Sequence, residues 1–127
     1  MPFEEQLTFN QRTGVAYVDL SAKQFYAVTE TANGLDLATA AKNISGILQD
    51  NPIATQAGAY AVSGVTKAAI SASTAITKGA RLEVDTGGTL ITLASGTAVA
   101  EAREALSSTA AVCYIAVALL PNNAAFS

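Results

Sequence analysis

The side chains that most often carry chemistry are nearly absent from this chain. It has no histidine, so the commonest general base and the commonest metal ligand are both missing. A single cysteine, Cys113, leaves no zinc constellation and no internal disulfide. Cys113 falls mid-strand on an apolar face with no base in view, which predicts a buried, unreactive thiol. Two carboxylate pairs are closely spaced, Glu83 with Asp85 and Glu101 with Glu104. Their spacing suits the wet face of a strand and the outer face of a helix rather than an acid–base pair. Gly87-Gly88 lacks the Gly-Lys-Ser/Thr continuation and helix entry of a phosphate loop, and Lys78-Gly79 lacks them too. The sequence therefore predicts no catalytic, cofactor-binding or metal-binding residue, and no enzyme.

The elements that would position any site read as mainly β. Leu82 and Val84 alternate with Arg81, Glu83 and Asp85, a period of two that predicts a strand with one buried and one wet face. Asp85-Thr86-Gly87-Gly88 supplies turn chemistry, and Thr89 to Leu93 returns as a β-branched, apolar run, completing a hairpin. Earlier, Val15 to Leu20 and Gln24 to Thr31 show the same alternation, and Asn33-Gly34 marks a tight turn. Leu35 to Asn43 is compatible with one helical turn or with loop. Ile44 to Gln49 is a short strand stopped by Asp50-Asn51-Pro52. Gln56 to Ile70 places Tyr60 and Val62 on one face, then meets Gly64, a position for a bend, bulge or close backbone approach. Ile70 to Thr77 reads as a connection.

After Ser95-Gly96 the sequence predicts one short helix near residues 98–106. Thr97 is its N-cap and Val99, Ala102, Ala105 and Leu106 form its apolar face. Val112 to Leu120 is a final apolar strand, with Cys113, Ile115, Val117 and Leu119 on the heavier face, and Pro121 stops it. The expected fold is mainly β, a small β-barrel or β-sandwich with that one helix. Residues 14–120 form one domain, preceded by an N-terminal arm at residues 1–13 and followed by a tail at 121–127.

Composition narrows the function classes. At 127 residues the chain is long enough for one domain that buries about two-thirds of its unfolded surface. Half of it is hydrophobic but much of that is small, with alanine at 27 positions, and only 13% is charged, against about 25% in an average soluble domain. So charge-poor a surface fits one partly covered by other protein. A net charge of −3 without basic clusters argues against nucleic acid, since phosphate binding needs grouped Lys and Arg. The longest apolar run, Ala110 to Leu120, falls short of the roughly 20 residues of a membrane span. Glu4 and Glu5 stand where a signal peptide would be basic, so synthesis in a cytosol-like compartment is expected. In the arm, Phe3, Leu7 and Phe9 are large apolar groups among polar neighbours. They are candidate anchors that order on a partner, with Arg12 a candidate for an acidic group.

A resemblance adds to these readings. Ile44-Ser45-Gly46-Ile47-Leu48-Gln49-Asp50-Asn51-Pro52 resembles the "Gly-Val-Leu-Gln-Asn-x-Pro" segment of the small capsid cement (head decoration) proteins of tailed bacteriophages. Val62 to Lys67 is similar to the "Val-Ser-Gly-Val-Thr-Lys" segment that commonly follows there. Ala75, Ile76 and Gly79 match its "Ala-x-Ile-x-x-Gly" step. A strand, a Gly-rich turn, an alanine- and glutamate-rich helix, here Ala98 to Leu106, and a final apolar strand complete the resemblance. The ordered series spans Leu35 to Leu120; the chain departs from it in the first 30 residues and in the tail after Leu119-Leu120-Pro121. The resemblance implies a small β-rich protein, made in the bacterial host cytoplasm, that binds the outer surface of an assembled head and stabilises the capsid. It implies the major capsid protein as partner, a homo-oligomer with a trimer favoured, no cofactor, and no nucleic-acid or membrane contact. A second reading is a small-ligand- or carbohydrate-binding β-barrel on a phage surface, with Tyr17, Tyr26, Tyr60 and Tyr114 as stacking platforms.

Overall fold

The run from Ala57 to Ile70 carries the backbone polar groups of fourteen residues, and in a folded chain these need partners along two edges. The computed structural model describes residues 9–39, 44–72, 74–94, 96–107 and 111–119. In it that run is the central strand β5. The others, in chain order, are β1 (Phe9–Val15), β2 (Ala27–Thr31), β3 (Gly34–Leu37), β4 (Gly46–Leu48), β6 (Arg81–Val84), β7 (Leu90–Thr92), β8 (Ala100–Ala102) and β9 (Cys113–Leu119). All are members of one sheet.

The first half of β5 pairs antiparallel with β1 and β4; the second half pairs antiparallel with β9 and meets β7 in parallel at Ile70↔Leu90. Following β5-β7-β6-β8-β9 returns to β5, so these five strands close into a barrel. The first half of β5 opens a second ring through β4, β2 and β3, which β1 completes by the bridge of Ala16 to Leu35. Each ring has its own core. Ala16, Leu20, Val28, Leu35, Leu48 and Tyr60 fill the N-terminal ring. The C-terminal barrel is filled by Ile70, Leu82, Val84, Leu90, Val99, Ile115 and Val117, among others.

Because β2 and β4 stand between the two cores, both of their faces are buried where they cross. Ala27 and Ile47 join one cluster, Val28 and Leu48 the other. This is why Gly46–Leu48 reads as an unbroken buried run rather than an alternating one. Gly64 lies where β5 changes partners, in register with Phe9 of β1 and with Leu119 of β9. Its φ of 98° belongs to the region that favours glycine. Before it Tyr60 and Val62 face the N-terminal core; beyond it Ala68 and Ile70, on the same alternation, face the other. Gly64, where the sequence leaves a bend, bulge or close backbone approach open, is thus the point where β5 passes from one core to the other.

The hairpin over 81–93 is as expected, with Val84 opposite Leu90, and the turn expected at Asn33-Gly34 falls one residue earlier, on Ala32-Asn33, with Thr31 opposite Gly34. The helix near residues 98–106 is not formed. Val99 N–H donates to Leu82 C=O, Ala102 N–H to Ala80 C=O and Arg103 N–H to Ala116 C=O, while Leu106 and Ile76 exchange both of their backbone bonds. The segment is therefore β8 and its extension, wedged between β6 and β9. Coiling it would leave those two edges unpaired and the barrel open, a larger loss than the helix preference of a few alanines. Its burial, with Ala100 and Ala102 in and Glu101 part-way out, has a period of two.

Smaller differences have similar causes. Phe9 to Thr13, placed in the N-terminal arm by the sequence, belong to β1 and pair with β5. The strand expected over Val15 to Leu20 instead runs Phe9–Val15, and the one expected from Gln24 begins at Ala27. Leu35–Leu37, open between helix and loop, is in β3. Glu83 is buried rather than wet, its carboxylate accepting the Gly96 N–H at 2.6 Å.

A Cβ at Gly46 would stand 2.1 Å from the carbonyl oxygen of Ala61, a backbone atom in β5. Gly46→Ala is expected to lower stability by on the order of 3 kcal/mol or more in urea unfolding. Gly79 has a φ of 89° but open space around it, so Gly79→Ala should cost only about 1 kcal/mol. Equal losses at the two positions would contradict the close crossing of β4 over β5.

Candidate functional site

Of the four residues singled out as partner-binding, Phe3 and Leu7 lie outside the described residues. Phe9 opens β1 in register with Gly64, and Arg12 sits three places on, opposite Tyr60. Arg12 is exposed, whereas Tyr60 is buried. The strand ladder thus sets a cation at the rim of the N-terminal core. Across the same rim, Glu30 from β2 accepts a short hydrogen bond from the Tyr60 hydroxyl. Burial raises the Tyr60 pKa above its ordinary value, and the hydrogen bond and negative charge of Glu30 push the same way; the nearby Arg12 guanidinium opposes them.

Of the two carboxylate pairs, Glu83, Asp85 and Glu104 act as struts. Ser71 Oγ donates to Asp85 Oδ2 at 2.9 Å and meets the Thr89 hydroxyl, while Asp85 Oδ1 accepts the Thr86 N–H. This cluster ties the end of β5 to the β6–β7 turn, beside a β5–β7 seam of a single register pair. Glu104 Oε1 accepts the Ala116 N–H at 3.2 Å. Cys113, expected to be buried, is half-buried at the start of β9, with its thiol directed to the Ala111 carbonyl at 3.6 Å. Ile115, Val117 and Leu119 do carry the buried face of that strand. Among the described residues no group of three or more His, Cys, Asp or Glu could hold a metal ion.

Two surfaces were missed by sequence reasoning. Val15 and Tyr17 point outward on either side of the inward Ala16, and both are 52% exposed. The loop 52–56 runs beside them, through Ala16 N–H to Gln56 C=O, Thr55 N–H to Ala16 C=O and Leu20 N–H to Pro52 C=O. It brings the exposed Ile53 to the same end of the N-terminal ring. The alternation around Ala16 was legible; its meeting with Ile53 depends on a contact between distant segments. The second surface is an open depression of about 320 Å³ lined by Ala22, Gln24, Phe25, Asn51, Lys67 and Tyr114. Of the four tyrosines considered as stacking platforms, Tyr114 alone lines it. Tyr60 is buried, Tyr17 belongs to the apolar end, and Tyr26 lies under the Lys23 ammonium, 4.8 Å from its ring centre.

The two rings sharing one long strand have a counterpart among solved structures. The chain shares its fold with a bacteriophage head fiber base. That structure, the gp8.5 N base in bacteriophage phi29, superposes with a TM-score of 0.62 over 90% of this chain and 96% of its own, at 11% sequence identity. No protein-family model and no curated protein matches the chain. At such low identity the likeness is one of backbone path alone.

The raised Tyr60 pKa has a consequence for stability. A group whose folded pKa lies above its unfolded value contributes fully below the unfolded pKa, here about 10, and its contribution is lost as pH rises through the folded pKa. Urea unfolding of the wild type should therefore weaken above about pH 10. Tyr60→Phe should cost roughly 1 to 3 kcal/mol at pH 7 and show a shallower alkaline loss. Parallel pH profiles for the two proteins would argue against the Tyr60–Glu30 pairing.

Proposed function

We propose that this chain is a structural protein of a bacteriophage virion that binds the outside of the assembled head and reinforces it, without catalysis. The observation that carries this is the likeness to the phi29 head fiber base over nearly the whole of both chains. The ordered resemblance to capsid cement proteins, from the segment around Gly46 to the last strand, supports the finer reading of a decoration protein. The proposed partner is the major capsid protein, and the proposed place is the outer surface of the capsid after synthesis in the host cytoplasm.

Physical chemistry favours the role. A ligand that binds only the assembled lattice stabilises it by linkage. Many copies held side by side, most simply as trimers, make a modest single-site affinity sufficient. The docking segment is proposed to be residues 2–8, with Phe3 and Leu7 as anchors, joined to the fold at Phe9. Phe9 and Leu119 share the register partner Gly64, so the first residue of β1 and the last of β9 lie at the same level of β5. Arg12, exposed beside it on β1, is the proposed contact for an acidic group. The apolar end formed by Val15, Tyr17 and Ile53 is the next candidate contact.

The test is co-sedimentation with expanded, undecorated heads. Removing residues 2–8 is expected to abolish binding while leaving the melting temperature within about 2 °C. Removing residues 2–12 also takes away the first pairs of β1 with β5 and should lower it by roughly 5 to 10 °C. Undiminished binding by the shorter deletion would transfer the contact to the body of the fold. Failure of the intact protein to sediment with heads would remove the decoration role itself.

A further inference from the structure

The depression between the two rings has the composition of a binding site rather than of a packing gap. Phe25 forms one wall with its backbone at φ 73°, in the left-handed region that a bulky residue enters at a cost. It is held there from both sides: Phe25 N–H donates to Leu48 C=O at 2.7 Å, and Ala69 N–H donates to Phe25 C=O at 2.9 Å. Its ring meets Tyr114 edge to face, with centroids 5.9 Å apart and planes 65° apart. The two rings make an apolar corner, and Tyr114 remains 46% exposed.

Around that corner stand polar groups without partners. Gln24 donates one side-chain N–H to Gln49 C=O, which fixes its amide and leaves its oxygen able to accept. The Asn51 amide, the Lys67 ammonium and the Tyr114 hydroxyl make no hydrogen bond or ion pair among the described residues. Among the described residues no carboxylate lines the depression. In a chain of net charge −3, an exposed ammonium lining the same depression as the aromatic corner is a local positive charge. Lys23, between Ala22 and Gln24 of the lining, adds a second cation nearby.

We propose that this depression binds a pyranose sugar that carries a carboxylate. A pyranose has an apolar face of C–H groups that packs on an aromatic ring, and a rim of hydroxyls that both donate and accept. Phe25 and Tyr114 supply the aromatic faces. The Asn51 amide offers donor and acceptor together, and the Gln24 oxygen and Tyr114 hydroxyl extend the rim. Lys67 selects the acid over the neutral sugar by charge. The volume of about 320 Å³ is at the small end of ligand sites, suited to one sugar ring. This site is separate from the head-binding role and stands or falls without it.

The experiment is amide chemical-shift mapping of the full chain with methyl α-galacturonate anion and, in parallel, methyl α-galactopyranoside. Shifts are expected at residues 22–25, 51, 67 and 114, with a Kd on the order of 1 mM for the acid, as its small size permits. Binding of the neutral sugar should be about tenfold weaker. Lys67→Gln should bring the acid down to the level of the neutral sugar, and Tyr114→Ala should remove binding of both. Both side chains are exposed, and dispersed spectra of the variants confirm that each is folded. No shifts with either sugar, or shifts scattered over the surface, would overturn the site. Equal binding of the two sugars, or an acid affinity unchanged in Lys67→Gln, would overturn the acidic-sugar assignment.

Discussion

The structure depends on the hydrogen bonding of β5. A strand this long, with partners along both edges in both halves, decides where every neighbour can lie. β4 and β1 take the first half, β7 and β9 the second. Two rings then follow with little further choice, because each set of strands must curl until its unpaired edge finds another. The smallness of the residues is part of this solution. Ala61, Ala68 and Ala69 are fully buried along β5, and large side chains there would hold the crossing strands apart. A chain in which half the residues are hydrophobic and so many are alanine is suited to walls that are shared, where backbones approach closely and neither face meets water.

A thin joint is the β5–β7 seam, where the ladder has one register pair and one further bond, from Ser71 N–H to Leu90 C=O. There the side chains of Ser71, Asp85 and Thr89 add what the backbone does not. Gln49 plays a comparable part at the junction between rings. Its side-chain N–H groups reach the Ile47 carbonyl and the buried Thr66 hydroxyl, while its own carbonyl accepts from Gln24. Asp50 follows by accepting the Ala59 N–H, and Pro52 is buried against Gly58. The segment that resembles capsid cement proteins is thus intelligible as the joint that fixes β4 across β5. Its residue types answer to architecture before they answer to any partner.

Local signals were enough for the turns and the hairpin. Asn33-Gly34, Asp85 to Gly88 and the alternation of Leu82 with Val84 all act within a few residues, and the same is true of the inward face of β9. What could not be read depended on distant strands. Val99 to Leu106 is compatible with both periods, and its choice was made by the edges of β6 and β9, far away in sequence. Glu83 looked like a surface residue because its partner, the Gly96 amide, is on another loop. Phe9 to Thr13 looked polar and loose because β5 supplies their ladder. The depression is similarly composite: its wall residues come from four separate stretches, and none carries a motif by itself. The apolar end combines Val15, Tyr17 and Ile53 in the same way.

The sharing of β5 also sets an order of events during synthesis. The N-terminal ring uses residues 9 to 64 and can close while the ribosome is still adding the rest. The C-terminal barrel cannot close before Leu119 has emerged, because β9 bridges β8 and β5. At typical elongation rates that interval lasts several seconds. During it the second half of β5 exposes an edge and apolar side chains beyond the ring already formed. The nascent chain thus carries a preformed template for its last strand, and in that interval it is most exposed to pairing with the wrong molecule.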